Sequence, residues 1–131
     1  MDYLQTLTEL SPPKAVVRGS IIITENTGGP YSMYVITKGS VNVYKNYGDY
    51  NEVMVATLRS GDFFGEMSFY LGQPRAATVV AAEDSQILEI DESNAQAVLK
   101  GCPTFTEIVI RSLCTRIADL NQRLSAKYNR L

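Results

Sequence analysis

One short stretch gathers side chains suited to a ligand that carries both hydroxyl and phosphate groups. It runs Gly61-Asp62-Phe63-Phe64-Gly65-Glu66-Met67-Ser68-Phe69-Tyr70-Leu71-Gly72-Gln73-Pro74-Arg75-Ala76-Ala77-Thr78-Val79. Phe64 ends an apolar run, and Gly65 lets the backbone turn closely. Glu66 to Phe69 is expected to form one short helical turn, whose first N–H groups have no partner within the helix and attract an anion. Ser68 adds a hydroxyl donor. Arg75 follows nine residues after Glu66, just ahead of an expected strand. A guanidinium there can grip a phosphate in bidentate fashion, and the carboxylate can accept from a hydroxyl. The plainer alternative is that Glu66 and Arg75 pair with each other at the surface.

The rest of the composition narrows the chemistry. The 131 residues contain no histidine and only two cysteines, Cys102 and Cys114. Histidine is the commonest metal ligand and the commonest general base near neutral pH, so Cys/His zinc sites, a His-ligated haem and a Ser-His-Asp triad are excluded. Two cysteines cannot hold a four-Cys iron–sulfur cluster and do not make a disulfide framework. They are expected to be reduced thiols, Cys114 as a small apolar packing residue with a redox or intersubunit role as its alternative. A net charge of −2 gives no electrostatic reason for general nucleic-acid or anionic-membrane binding. No apolar run reaches the ~18–20 residues of a membrane span, and Met1-Asp2-Tyr3 has no basic n-region followed by an apolar stretch, so no signal peptide is expected. The length suits one domain with a single sizeable core, and a cytoplasmic setting is expected.

The elements that must hold the stretch are legible as texture. Tyr3, Leu4, Leu7 and Leu10 fall at helical spacing within residues 2–10, and Ser11-Pro12-Pro13 breaks that helix. Short β-rich runs follow: Ile21–Ile23, Met33–Ile36, Ser40–Tyr44, Val53–Leu58, Ala77–Ala81 and Gln86–Ile90. Several alternate as half-buried strands do, and Gly-, Asn- and Asp-rich turns separate them. This pattern predicts a mainly β fold with flanking helices: a double-stranded β-helix (jelly-roll) barrel over about 14–92, then C-terminal helices over about 93–131. Asp91 or Ser93 is expected to cap a helix over roughly Asn94–Lys100, with Gly101 and Pro103 ending it.

From Thr104 to Leu131 there is neither Gly nor Pro, which predicts one long helix. Ile110, Ile117, Leu124 and Leu131 fall seven apart, and Leu113 and Leu120 occupy the matching d positions. That is a coiled-coil seam, so Ile110, Leu113, Ile117, Leu120 and Leu124 are expected to join two copies. The alternative is an amphipathic helix packed on its own barrel, but about 28 residues span ~42 Å, longer than a small barrel can cover. Arg111, Arg116, Arg123, Arg130 and Lys127, interspersed with Glu107 and Asp119, are read as a solvated flank of this helix, with a nucleic-acid stripe as the alternative. Tyr44, Tyr47 and Tyr50 are expected at a hairpin tip, as solvent-edge residues or as a partner contact.

The string Phe64-Gly65-Glu66-Met67-Ser68, a loop, then Pro74-Arg75-Ala76-Ala77-Thr78-Val79 resembles the phosphate-binding cassette of the cyclic nucleotide-binding domain family. Val17-Arg18-Gly19-Ser20-Ile21-Ile22, Ser32–Ile36 with Lys38-Gly39-Ser40-Val41, and Leu58-Arg59-Ser60-Gly61-Asp62 resemble its barrel strands, so the likeness covers roughly residues 14–131. The resemblance implies that Glu66 accepts from a ribose 2′-hydroxyl and Arg75 holds the cyclic phosphate. Gly65, Met67, Ser68 and Ala76 complete the phosphate cradle, with Ala77 beside them. In eukaryotic members a threonine immediately after the arginine goes with cGMP; Ala76 lacks that hydroxyl, so the resemblance points to cAMP ahead of cGMP. Members usually have more helix ahead of the barrel than Met1–Leu10 provides. No adenine-contacting pair like that of the catabolite activator protein is evident on the long helix, where Asn121, Gln122 and Ser125 are the polar candidates.

The reading is therefore a sensor domain without metal, cofactor or enzymatic activity, which binds a cyclic nucleotide and transmits binding through its C-terminal helix. Two alternatives stand beside it. One is the effector-binding fragment of a transcription regulator of the catabolite activator type, since the chain reaches Leu131 without a helix-turn-helix. The other is an interaction domain that keeps the barrel without the ligand. A cupin-like metalloenzyme is disfavoured by the missing histidines.

Overall fold

The computed structural model describes residues 2–129. Helix α1 (Tyr3–Leu10) leads into eight strands: β1 (Lys14–Val16), β2 (Ile21–Ile23), β3 (Met33–Lys38), β4 (Ser40–Lys45), β5 (Val53–Arg59), β6 (Phe63–Phe64), β7 (Thr78–Ala81) and β8 (Ser85–Ile90). A short helix α2 (Glu66–Leu71) interrupts them between β6 and β7, and α3 (Ala95–Gly101) and α4 (Pro103–Asn129) follow. The strands form two four-stranded antiparallel sheets, β1-β8-β3-β6 and β2-β7-β4-β5, which is the expected jelly roll.

Period-two side-chain alternation explains how one sheet serves two cores. On β3, Met33 and Val35 belong to one buried cluster and Ile36 to the other; on β8, Leu88 and Ile90 part from Ile87 in the same way, and on β6, Phe63 parts from Phe64. The barrel interior takes Ile23, Ile36, Val41, Phe64, Val79 and Ile87. The opposite face takes Leu7 of α1, Val98 of α3 and Phe105 and Val109 of α4. Phe105 is fully buried and meets Phe63 edge to face, with ring centroids 6.4 Å apart. Burying one such side chain contributes about 1.5–3 kcal/mol, so this contact pins the start of α4 to the sheet that carries β6.

Several boundaries differ from expectation. Two strands were not anticipated, β1 and β6. Helix α3 starts at Ala95 with Asn94 at the N-cap; Asp91 accepts instead from Ser93 N–H, Ser93 Oγ–H and Asn94 N–H, holding the turn ahead of it. Helix α3 does end at Gly101, and Pro103, two residues on, opens α4, where its fixed φ and missing N–H cost nothing.

The long helix divides its faces. Phe105 and Val109 are buried, and Leu113 is partly buried against the same core. Ile110, Ile117, Leu120 and Leu124 are each more than half exposed. Leu113, expected in the seam, is therefore shared with the protein's own core, while the other four form an uncovered apolar stripe. Met1, Arg130 and Leu131, the last of the expected a positions, lie outside the described residues. No described helix is long and apolar enough to cross a membrane.

Candidate functional site

The connection from β6 to β7 consists of Gly65, α2 and the loop over residues 72–77. Gly65 caps α2 with φ +82°, in the left-handed region. A Cβ there would stand 2.9 Å from Arg75 Nη1 and 3.1 Å from Ser32 O, so glycine is required both for the turn and for the arginine's approach. The helix then carries Glu66 and Ser68 into the interior while Met67 remains exposed. Arg75 enters from the end of the loop, just before β7, and is also buried.

Gly65, Glu66, Met67, Ser68, Arg75, Ala76 and Ala77 all line one cavity of about 280 Å³. Its remaining wall is mostly apolar: Ile23, Val43, Ala56, Leu58, Phe63, Phe64 and Val79. Charged and apolar side chains lining one cleft suit a ligand with an anionic head and a flat, weakly polar body.

The two charged side chains do not pair with each other. Arg75 Nη1 donates to Gly65 O at 3.0 Å, and Nη2 donates to Ser32 O at 2.6 Å. A guanidinium has five N–H donors, so these two bonds fix its plane and leave three for an anion. Burial pushes the Arg75 side chain below the usual arginine range, a pull opposed by the charges of Tyr34, Tyr31 and Glu66. No carboxylate neutralises it within ion-pair distance among the described residues.

Glu66 is only 6% exposed, and its partner comes from α4: Arg116 Nη1 donates to Oε1 at 2.7 Å. The same guanidinium lies 5.4 Å from the Phe63 ring centre, and Arg116 lines the cavity. Arg116 is thus more than a residue of a solvated flank: half exposed, it also reaches the cavity to hold Glu66. Arg111 and Arg123 pair on the helix surface with Glu107 and Asp119. One sequence signal separates the three. Arg111 and Arg123 each have an acid four residues earlier, whereas Arg116 has Ser112 there. Asn121, Gln122 and Ser125 are exposed and take no part in lining the cavity. Tyr44 and Tyr47 pack at the β4–β5 hairpin, their ring centres 4.7 Å apart, and Tyr50 at its tip is fully exposed. Cys102 is buried in the core and Cys114 is exposed.

A jelly roll with a buried guanidinium and a buried carboxylate facing one small cleft belongs to the class of barrels that hold a small anionic ligand. The particular family follows from comparison with known proteins. The model of the cyclic nucleotide-binding domain matches residues 13–102, and the chain belongs to that family. It is 33% identical over 98 residues to a cAMP-dependent protein kinase regulatory subunit of Blastocladiella emersonii, covering 75% of this chain and 24% of that protein. It is 23% identical over 122 residues to a CRP-like cAMP-activated global transcriptional regulator of Mycobacterium tuberculosis, covering 93% and 54%. Among solved structures, the catabolite activator protein of Thermus thermophilus superposes with a TM-score of 0.75 at 22% identity, over 94% of this chain and 57% of that one. The chain thus spans between a quarter and just over half of these proteins.

Proposed function

We propose that the chain is a regulatory domain that binds cAMP ahead of cGMP in the cavity over α2, and that it passes the event to α4. Arg75, with its three uncommitted N–H donors, holds the cyclic phosphate, helped by the Gly65, Met67 and Ala76 amides and the Ser68 hydroxyl, with Ala77 against the ligand. Glu66 keeps Oε2 free to accept from the ribose 2′-hydroxyl while Oε1 holds Arg116. The observation that carries this reading is the Glu66–Arg116 bond, since it joins the floor of the cavity to the helix that leaves the barrel. The names of two relatives, a cAMP-dependent kinase subunit and a cAMP-activated regulator, support the choice of ligand.

A ligand with different affinity for two helix positions shifts the population between them, and no catalytic step is needed. The apolar stripe Ile110, Ile117, Leu120 and Leu124, with Leu113 at its inner edge, supplies a second-copy interface as the output. The chain acts in the cytoplasm without metal or cofactor. Calorimetric titration with cAMP, cGMP and linear AMP tests the reading. Tight binding of cAMP, weaker binding of cGMP and far weaker binding of AMP is expected. Equal millimolar binding of all three overturns it.

A further inference from the structure

The segment between β2 and β3 wraps Arg75 from outside the cavity. Asn26 N–H donates to Arg75 O at 2.8 Å, and Arg75 N–H donates to Thr27 O at 3.3 Å, so the loop pairs with the arginine's backbone. Ser32 O then takes one end of the guanidinium. Between these contacts the Tyr31 ring lies over the guanidinium, 4.9 Å from Cζ to the ring centre. The ring is itself fixed. Its hydroxyl donates to Thr27 O at 3.3 Å, and the Gly29 backbone passes close to its edge, where a Cβ would stand 3.3 Å from two ring carbons.

We propose that Tyr31 is a positioning residue for the ligand: its ring closes the outer face of the Arg75 guanidinium and holds the remaining N–H donors toward the cavity. The proposal rests on the reading of the cavity as a cyclic nucleotide site. The physical case is one of charge as well as geometry. A buried guanidinium needs an electron-rich neighbour, and a carboxylate in that place would cancel the charge that must meet a phosphate. An aromatic face supplies the attraction through its quadrupole while leaving the full positive charge for the ligand. Two backbone carbonyls do the same at the edges, so all three of these contacts are with neutral groups. Three contacts around one planar group leave little rotamer freedom to be lost on binding.

The test is cAMP titration of Tyr31→Leu and Tyr31→Phe, each also made in an Arg75→Gln background, with melting temperatures and the Arg75 Nε–Hε proton resonance recorded without ligand. Tyr31→Leu is expected to weaken cAMP binding about 3- to 30-fold, the range set by one desolvated cation–π contact. Tyr31→Phe recovers most of that loss because it keeps the ring. In the Arg75→Gln background, Tyr31→Leu costs less than about twofold more, since its effect runs through the guanidinium. The resonance moves downfield in Tyr31→Leu, as ring shielding is lost, and stays in place in Tyr31→Phe. Full affinity in Tyr31→Leu, or an equal loss with and without Arg75, overturns the proposal, as does a resonance that does not move. A wild type that binds no cyclic nucleotide overturns the reading of the cavity instead, and the resonance then decides alone whether the ring orders the arginine.

Discussion

Replacing Arg75 by alanine has two consequences that the structure lets us separate. The first is loss of ligand. A bidentate grip on a phosphate comprises two charged hydrogen bonds at about 1.5–3 kcal/mol each. Allowing for non-additivity, about 3–4 kcal/mol disappears, a loss of about 10²- to 10³-fold in affinity. The second is loss of stability, because the guanidinium also serves Gly65 O and Ser32 O. Each stranded carbonyl costs about 1–3 kcal/mol, offset in part because a charge no longer has to be buried. A net loss of about 2 kcal/mol lowers the melting temperature by roughly 5–10 °C in a chain of this size.

Thermal melts with and without cAMP, alongside calorimetry, distinguish the two. At one hundred times its Kd a ligand stabilises the wild type by about 2.7 kcal/mol, so its melting temperature rises visibly. The alanine variant starts lower and shows almost no rise at the same concentration. Arg75→Lys restores part of the affinity through its charge, but a point charge cannot reproduce the fork. The lysine variant also decides the matter if the alanine variant fails to fold. An alanine or lysine variant that gains as much stability from cAMP as the wild type refutes the assignment of Arg75 to the phosphate.

Arg116→Ala leaves the buried Glu66 carboxylate without its ion-pair partner. Because Arg116 is half exposed, a stability loss of only about 1–2 kcal/mol is expected in melts, and cAMP no longer changes amide exchange along α4. An exchange response equal to that of the wild type removes Arg116 from the coupling. Ile117→Asp puts unpaired charge into the proposed helix seam and is expected to convert a dimer to monomer by light scattering, at several kcal/mol for the dimer. A wild type that is monomeric at high micromolar concentration rejects the seam. Gly39→Ala is expected to lower stability by about 1–3 kcal/mol in denaturant titration. Its φ is +96° and a Cβ would stand 2.7 Å from Ser85 Cβ. An unchanged midpoint would show that the β3–β4 turn relaxes freely.

The jelly roll was readable because six of its strands show either an alternating pattern or, as in Ile21–Ile23, a run of β-branched residues. The two that were missed are short and have neither signal: Lys14–Val16 and Phe63–Phe64. Three and two residues carry no measurable period. Their strand geometry is imposed by partners far along the chain, Ile87 opposite Lys14 and Tyr34 opposite Phe64. The cassette was legible for the opposite reason, since its glutamate, serine and arginine lie on one short connection and reach one cavity. The partner of Glu66 was not, because it stands fifty residues away on another element. Local helix chemistry offers an exposed arginine a default role in surface pairing, and the missing acid four residues before Arg116 distinguishes it from Arg111 and Arg123.

The position of Arg116 along α4 matters more than its distance from Glu66. The helix is held by Phe105 and Val109, and every described residue from Cys114 to Tyr128 is exposed. Beyond the pinned turn, Leu113 is partly buried against the same core, and Arg116 ties the helix laterally, by its bond to Glu66 and its stack on Phe63. At 1.5 Å per residue, Arg116 lies about 10 Å past Val109 and Leu124 about 22 Å past it. A rigid rotation about the pinned turn therefore displaces Leu124 about twice as far as Arg116. Glu66 sits on α2, between Gly65 and Ser68, so a ligand that draws the cassette amides around a phosphate moves the tie directly. Under the proposed function, an adjustment of about 1 Å at Glu66 becomes about 2 Å at the apolar stripe. Side-chain interdigitation in a packed seam does not tolerate a shift of that size, so on the proposed reading a second copy would meet a different surface in each helix position.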